Sequence, residues 1–109
     1  MEIYNGSFSN VDDVVSNFRL SASDLEGVEI LYAMYDGGGY DGWAWVLFRK
    51  EGKLFEVNGS HCSCYGLEDQ WEPSLSSVKA ILMRPNVDEA VKQMLQDVFD
   101  DHILSGIVD

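Results

Sequence analysis

The chain has 109 residues, 46% of them hydrophobic and 12% aromatic, which is enough for one core and too apolar for intrinsic disorder. Nineteen Asp and Glu against seven Lys and Arg give a net charge of -12, which excludes direct binding to nucleic acid or anionic membranes and favours basic protein surfaces. No apolar run approaches the roughly 20 residues that span a bilayer, the start MEIY lacks the features of a secretion signal, and two cysteines spaced C-x-C are no disulfide framework, so the expected compartment is the reducing cytoplasm.

Residues 2–4, with Phe8 beyond them, suit a short first strand or edge. Ser9 and Asn10 offer N-caps, and Val11, Val14, Val15 and Phe18 follow at helical spacing. Asp12 and Asp13 sit in the first turn, where the helix dipole favours them. The spacing predicts a helix over 10–18. Residues 21–27 read as a single helical turn closed by Gly27.

The run 28–35 is rich in β-formers and almost wholly apolar, as expected for a central strand buried on both faces. Residues 36–42 (DGGGYDG) form a turn or loop. The next strand, 43–50, places Trp43, Trp45 and Leu47 on one face and Ala44, Val46 and Phe48 on the other. Glu51 and Gly52 make a tight hairpin into a third strand, 53–58. These three strands predict an antiparallel meander.

After Pro73, the residues Leu75, Val78, Ile81 and Leu82 are spaced for a short helix starting at Pro73 or Ser74, with a strand as the competing reading. Arg84-Pro85 ends it. Asn86 and Glu89 resemble a capping box, and Val87, Ala90, Val91, Met94, Leu95, Val98, Phe99, His102 and Ile103 mark one stripe of a helix lasting to about 104. The expected fold is a single α+β domain over 1–109: a three-stranded antiparallel meander packed with N-terminal and C-terminal helices. Helices would cover one sheet face and leave the tryptophan face partly covered.

The stretch 58–73 concentrates the rare side chains: both cysteines, one histidine, one tryptophan and one proline. His61, Cys62 and Cys64 are ligand types that suit zinc, but a structural site needs four. The fourth would be His102, Glu68 or Asp69, and neighbours 61 and 62 point opposite ways on an extended chain. A cysteine nucleophile would need a lowered thiol pKa, which the surrounding acidic charge opposes. The favoured reading is structural: Asn58, Ser60, His61 and Ser63 tie down a long loop, the cysteines are small buried groups, and Tyr65, Leu67 and Trp71 plug the sheet edge. No cofactor is expected, with zinc as the alternative. The glycines at 37–39 are followed by no phosphate-cradle pattern.

The segment SHCSCYGLE at 60–68, followed by QWEP at 70–73, carries a resemblance that extends over roughly 2–84. The chain resembles a family of small acidic proteins of bacteriophages, prophages and their hosts, a family without an established activity. The resemblance implies a phage or mobile-element setting, in which small acidic proteins often block host defence complexes.

Charge and setting together predict a non-enzymatic binding protein that docks on a basic host protein surface. Its target would be a nucleic-acid-handling defence complex, inhibited in an anti-CRISPR or anti-restriction manner. The expected contact residues are Tyr35, Asp36, Tyr40, Asp41 and Trp43 around the glycine loop, and Asp97, Asp100 and Asp101 on the last helix. The alternatives are a metal- or thiol-dependent protein using the 61–64 cluster, and a structural subunit that oligomerises through the tryptophan face.

Overall fold

The computed structural model describes residues 3–37, 41–62 and 66–99. The elements run β1 (Tyr4–Gly6), α1 (Val11–Phe18), a 3-10 turn (Ala22–Leu25), β2 (Glu29–Asp36), β3 (Gly42–Lys50), β4 (Lys53–His61), β5 (Ser74–Leu75), α2 (Val78–Leu82) and α3 (Glu89–Val98). The five strands form one sheet in the order β1-β2-β3-β4-β5.

The expected meander is present as β2, β3 and β4, but it is the middle of a larger mixed sheet. β1 pairs with β2 in parallel, Tyr4 opposite Ala33 and Gly6 opposite Tyr35. A parallel neighbour requires a crossover, and α1 with the 3-10 turn supplies it. At the other edge β5 pairs antiparallel with β4 through Leu75 and Phe55.

Local chemistry accounts for most boundaries. At the start of α1 the Asn10 side chain accepts from the Asp13 N–H at 3.0 Å, and the Asp13 carboxylate accepts from the Ser9 N–H at 2.7 Å. The first bond satisfies an orphan donor of the helix start, and the second ties the residue before the cap to the first turn. The hairpin between β3 and β4 turns on Glu51 (φ 53°) and Gly52 (φ 75°). Two consecutive left-handed residues match the twist of antiparallel strands. In β2 the register shifts between Ile30 and Tyr32. This bulge lets Leu31 and Tyr32, neighbours in sequence, both join the core under the C-terminal helices.

The region after Pro73 contains both of the competing elements, in sequence. Ser74 and Leu75 pair with Glu56 and Phe55, and the Ser76 N–H donates to Leu54 O at 2.9 Å. Only then does a helix start, at Val78 rather than at Pro73 or Ser74. Its cap is Ser77, whose side chain accepts from the Ala80 N–H at 3.0 Å. The start of α3 also differs from expectation. Asp88 takes the cap position without a side-chain cap bond, so Asn86 and Glu89 form no capping box. The helix also ends earlier than the expected 104: its last residue is Val98, and Phe99 caps it with its N–H donating to Leu95 O at 3.0 Å; residues from 100 onward lie outside the described ones.

Two cores lie on opposite faces of the sheet. On one, Val14 and Phe18 of α1 pack with Phe8, Ala33, Val46, Phe48, Val57 and Leu67. On the other, Val78 and Ile81 of α2 and Val91, Leu95 and Phe99 at α3 pack with Leu31, Leu47 and Leu54. The helices therefore flank the sheet on both sides. The tryptophan face is the one that receives α2 and α3: Trp45 packs beneath them, while Trp43 stays 51% exposed at the end of the face.

Candidate functional site

Three places gather polar or aromatic side chains. The first is the 58–73 junction. His61 ends β4 opposite Gly42, and its Nδ1 lies 2.7 Å from the Tyr35 hydroxyl. The two rings meet edge-on at 5.4 Å. Tyr35 is 8% exposed and also packs on Phe8. Burial, and then the Glu68 charge, push its hydroxyl pKa up. Tyr35 is thus withdrawn from the expected contact residues, because its ring and its hydroxyl are both committed inside.

At Ser60, beyond the pairing with β5, the edge of β4 is held by the Gln70 side chain. Gln70 accepts from the Ser60 N–H at 2.8 Å and donates to Ser60 O at 2.6 Å. It replaces, at one residue, the ladder a neighbouring strand would make. Its amide also donates to Gly66 O at 2.6 Å. Leu67 is buried against the first core, and Trp71 stacks on Phe48 at 5.7 Å. The plugging role expected of Leu67 and Trp71 is present, whereas the tie comes from Gln70 rather than from Asn58, which is exposed. Cys62 is half-buried. It follows His61 on extended chain, where successive side chains face opposite ways. Cys64, Ser63 and Tyr65 lie outside the described residues. Among the described residues no three His, Cys, Asp or Glu are grouped to hold a metal.

The second place is a buried ion pair. Glu56 is 6% exposed, on the sheet face beneath α2 and α3. Arg84, in the connection between those helices, grips it with both arms: Nη1 donates to Oε1 at 3.0 Å and Nη2 to Oε2 at 2.7 Å. The Trp45 indole N–H donates to Oε1 at 3.0 Å. The Arg84 hydrogen bonds pull the carboxyl from its ordinary 4.5 down to about 2, against the opposing effect of burial, with Trp45 and Ser76 helping. The pair fixes the α2–α3 connection to the sheet and fixes the Trp45 ring in place.

The third place adjoins the second. A cavity of about 540 Å³ lies between Tyr32, Met34, Trp43 and Trp45 on the sheet and Val87, Asp88, Glu89 and Val91 at the start of α3. A smaller cleft beside it reaches Arg84, Asn58 and Asn86. Asp36 pairs with Trp43 across β2 and β3 and is exposed, as is Asp41. Burial, and then the Asp88 charge, raise the Tyr32 hydroxyl pKa. The acidic field of the helix start therefore reaches the aromatic wall.

Compared with protein-family models, curated proteins and solved structures, the chain matches none.

The structure sorts the expected contact residues into two groups. Asp36, Asp41 and Trp43 cluster at one end of the sheet. Asp97 is exposed but lies near the far end of α3, where it lines a separate cavity with Glu29, Leu31 and Met94. It lies eight helical positions beyond Glu89, about 12 Å along the axis. Tyr40, Asp100 and Asp101 lie outside the described residues. Sequence reasoning missed Asp88 and Glu89 as neighbours of Trp43, and it missed Glu56 with Arg84 entirely. A signal for Glu56 existed: in β4 it shares its face with Leu54, a core residue.

Proposed function

We propose that this protein is a non-catalytic binding protein that docks on a basic protein surface through the acidic, aromatic end of its sheet. The observation that supports this best is the half-exposed Trp43 beside a groove walled by Asp88 and Glu89, on a chain of net charge -12. Large aromatic side chains anchor protein interfaces, and single-signed charge steers the encounter. The most basic surfaces on proteins are the grooves that hold nucleic acid, so the preferred target is a nucleic-acid-handling complex. The resemblance of 60–73 to phage-borne acidic proteins adds that the complex belongs to a host defence system, of CRISPR or restriction type, met in the cytoplasm. Among the described residues no helix is long and apolar enough to cross a membrane.

The test is association with purified CRISPR effectors and restriction enzymes, measured with and without their nucleic acid. The expected result is binding that competes with nucleic acid and whose on-rate falls as salt rises. Replacing Trp43 by Ala together with Asp88→Asn and Glu89→Gln should weaken it at least about tenfold, as loss of an interface anchor does. Binding that is indifferent both to salt and to this triple change refutes the proposal, as does the absence of binding across the whole panel.

A further inference from the structure

We propose that the groove between Trp43 and the start of α3 takes a single arginine side chain of the partner, an inference that rests on reading the protein as a binder of basic surfaces. Three features of the groove point to arginine. Its sheet wall is aromatic: Trp43 and Trp45 stand two residues apart on one face of β3, and Tyr32 meets Trp45 edge-on at 5.7 Å. A cationic plane is attracted to the face of an indole ring. Its helix wall is anionic, with Asp88 and Glu89 both exposed. Among the described residues neither carboxylate makes a side-chain hydrogen bond or an ion pair, so both remain available to a ligand.

A guanidinium satisfies both walls at once. It is planar, weakly hydrated, and able to fork onto a carboxylate while stacking on an aromatic ring. A lysine ammonium offers no plane and holds its water more tightly. The floor is already rigid, because Trp45 is held by Glu56 and Glu56 by Arg84. A cavity of about 540 Å³ exceeds one side chain, so the flanking backbone of the partner enters as well.

Two features oppose a cation. Lys92 also lines the groove, and the N-terminal end of α3 carries the positive pole of the helix. Asp88 and Glu89 offset that pole. Affinity for an isolated arginine is therefore modest, and removing the Lys92 charge should raise it.

The test is titration of the ¹⁵N-labelled protein with the peptide acetyl-Gly-Gly-Arg-Gly-Gly-amide and with the same peptide carrying Lys or the uncharged citrulline. The three tryptophans give three indole signals. Trp71 packs on the opposite sheet face and serves as the internal control. The Arg peptide should shift the Trp43 and Trp45 signals and spare Trp71. The Lys peptide should bind at least about threefold more weakly, and the citrulline peptide should not bind. Trp43→Ala should abolish the effect while the Trp45 and Trp71 signals keep their native positions, and Lys92→Gln should tighten binding about twofold to threefold, the effect of one screened charge. Equal binding of Arg and Lys peptides, or shifts mapping away from Trp43, overturns the arginine assignment. Polyarginine, titrated in parallel at low salt, separates the two proposals. If it binds while the Arg peptide misses the groove, only the inference falls; if it fails as well, the reading as a basic-surface binder falls with it.

Discussion

Replacing Arg84 by Met would leave the Glu56 carboxylate buried with the Trp45 N–H and Ser76 but without a counter-charge. The magnitude follows from linkage. Holding a carboxyl at about 2 instead of its ordinary 4.5 corresponds to roughly 3 kcal/mol of stability. The folded-state value is the lower one, so this stability is fully present above pH 4.5 and is lost as pH falls toward 2. Breaking a fully buried pair costs about 3–5 kcal/mol. Arg84 is 40% exposed along its side chain, so water reaches the gap, and a loss of about 2–3 kcal/mol is expected at pH 7. The double variant Glu56→Met/Arg84→Met should recover most of it, because an apolar pair removes the desolvation cost along with the attraction. Urea unfolding followed by tryptophan fluorescence measures all three proteins, with Trp45 reporting directly on the site. The other carboxylates titrate alike in each, so they cancel in the differences. The gap between wild type and Arg84→Met should close as pH falls from 4.5 to 2. A single variant that loses less than about 0.5 kcal/mol, or a double variant no more stable than the single, would refute the assignment of Glu56 as a buried, arginine-held anion.

Other consequences are simpler. Gly42→Ala would place a Cβ 2.2 Å from the His61 ring and 2.3 Å from the Asp36 carbonyl oxygen. A loss of at least about 2 kcal/mol is expected, and an unchanged melting temperature would contradict the close packing of β2, β3 and His61. Gln70→Leu strips Ser60 of its partners at the sheet edge. It should cost about 1 kcal/mol and speed amide exchange at Ser60, where a wild-type exchange rate would count against the tie. Tyr35→Phe removes the hydroxyl at 2.7 Å from His61. It should cost about 1 kcal/mol and change the His61 Nδ1 chemical shift, and neither effect would appear if the bond were absent in solution.

Much of the fold could be read from local chemistry. The Asn10 cap with Val14 and Phe18 announces α1, and Glu51-Gly52 announces the hairpin. What escaped reading depends on pairing. Nothing in Tyr4–Gly6 says that it lies parallel to β2, since that follows from where α1 returns the chain. Nothing in Ser74–Leu75 separates a two-residue strand from a first helical turn until Glu56 and Phe55 are beside it. The bulge at Leu31 is equally silent, because an apolar run has no alternation to interrupt.

The same distinction governs the site. His61 and Cys62 drew notice because they are rare and close together in sequence, yet Tyr35 is already His61's partner. Rare side chains gather where local structure is demanding as readily as where chemistry occurs. A binding surface needs capacity left over after folding: an aromatic face still in water, a carboxylate without a cation. Among the described residues Trp43, Asp88 and Glu89 meet that condition, and Tyr35 and Glu56 do not. Trp43 is the second residue of β3, and the two carboxylates are the cap and the first residue of α3. No sequence spacing connects them. Arg84 does so indirectly, by fixing the α2–α3 connection to Glu56 and so bringing the start of α3 up to the tryptophans. The buried ion pair and the open groove are thus one arrangement, and loosening Arg84 should weaken ligand binding at Trp43 even though Arg84 need not touch the ligand.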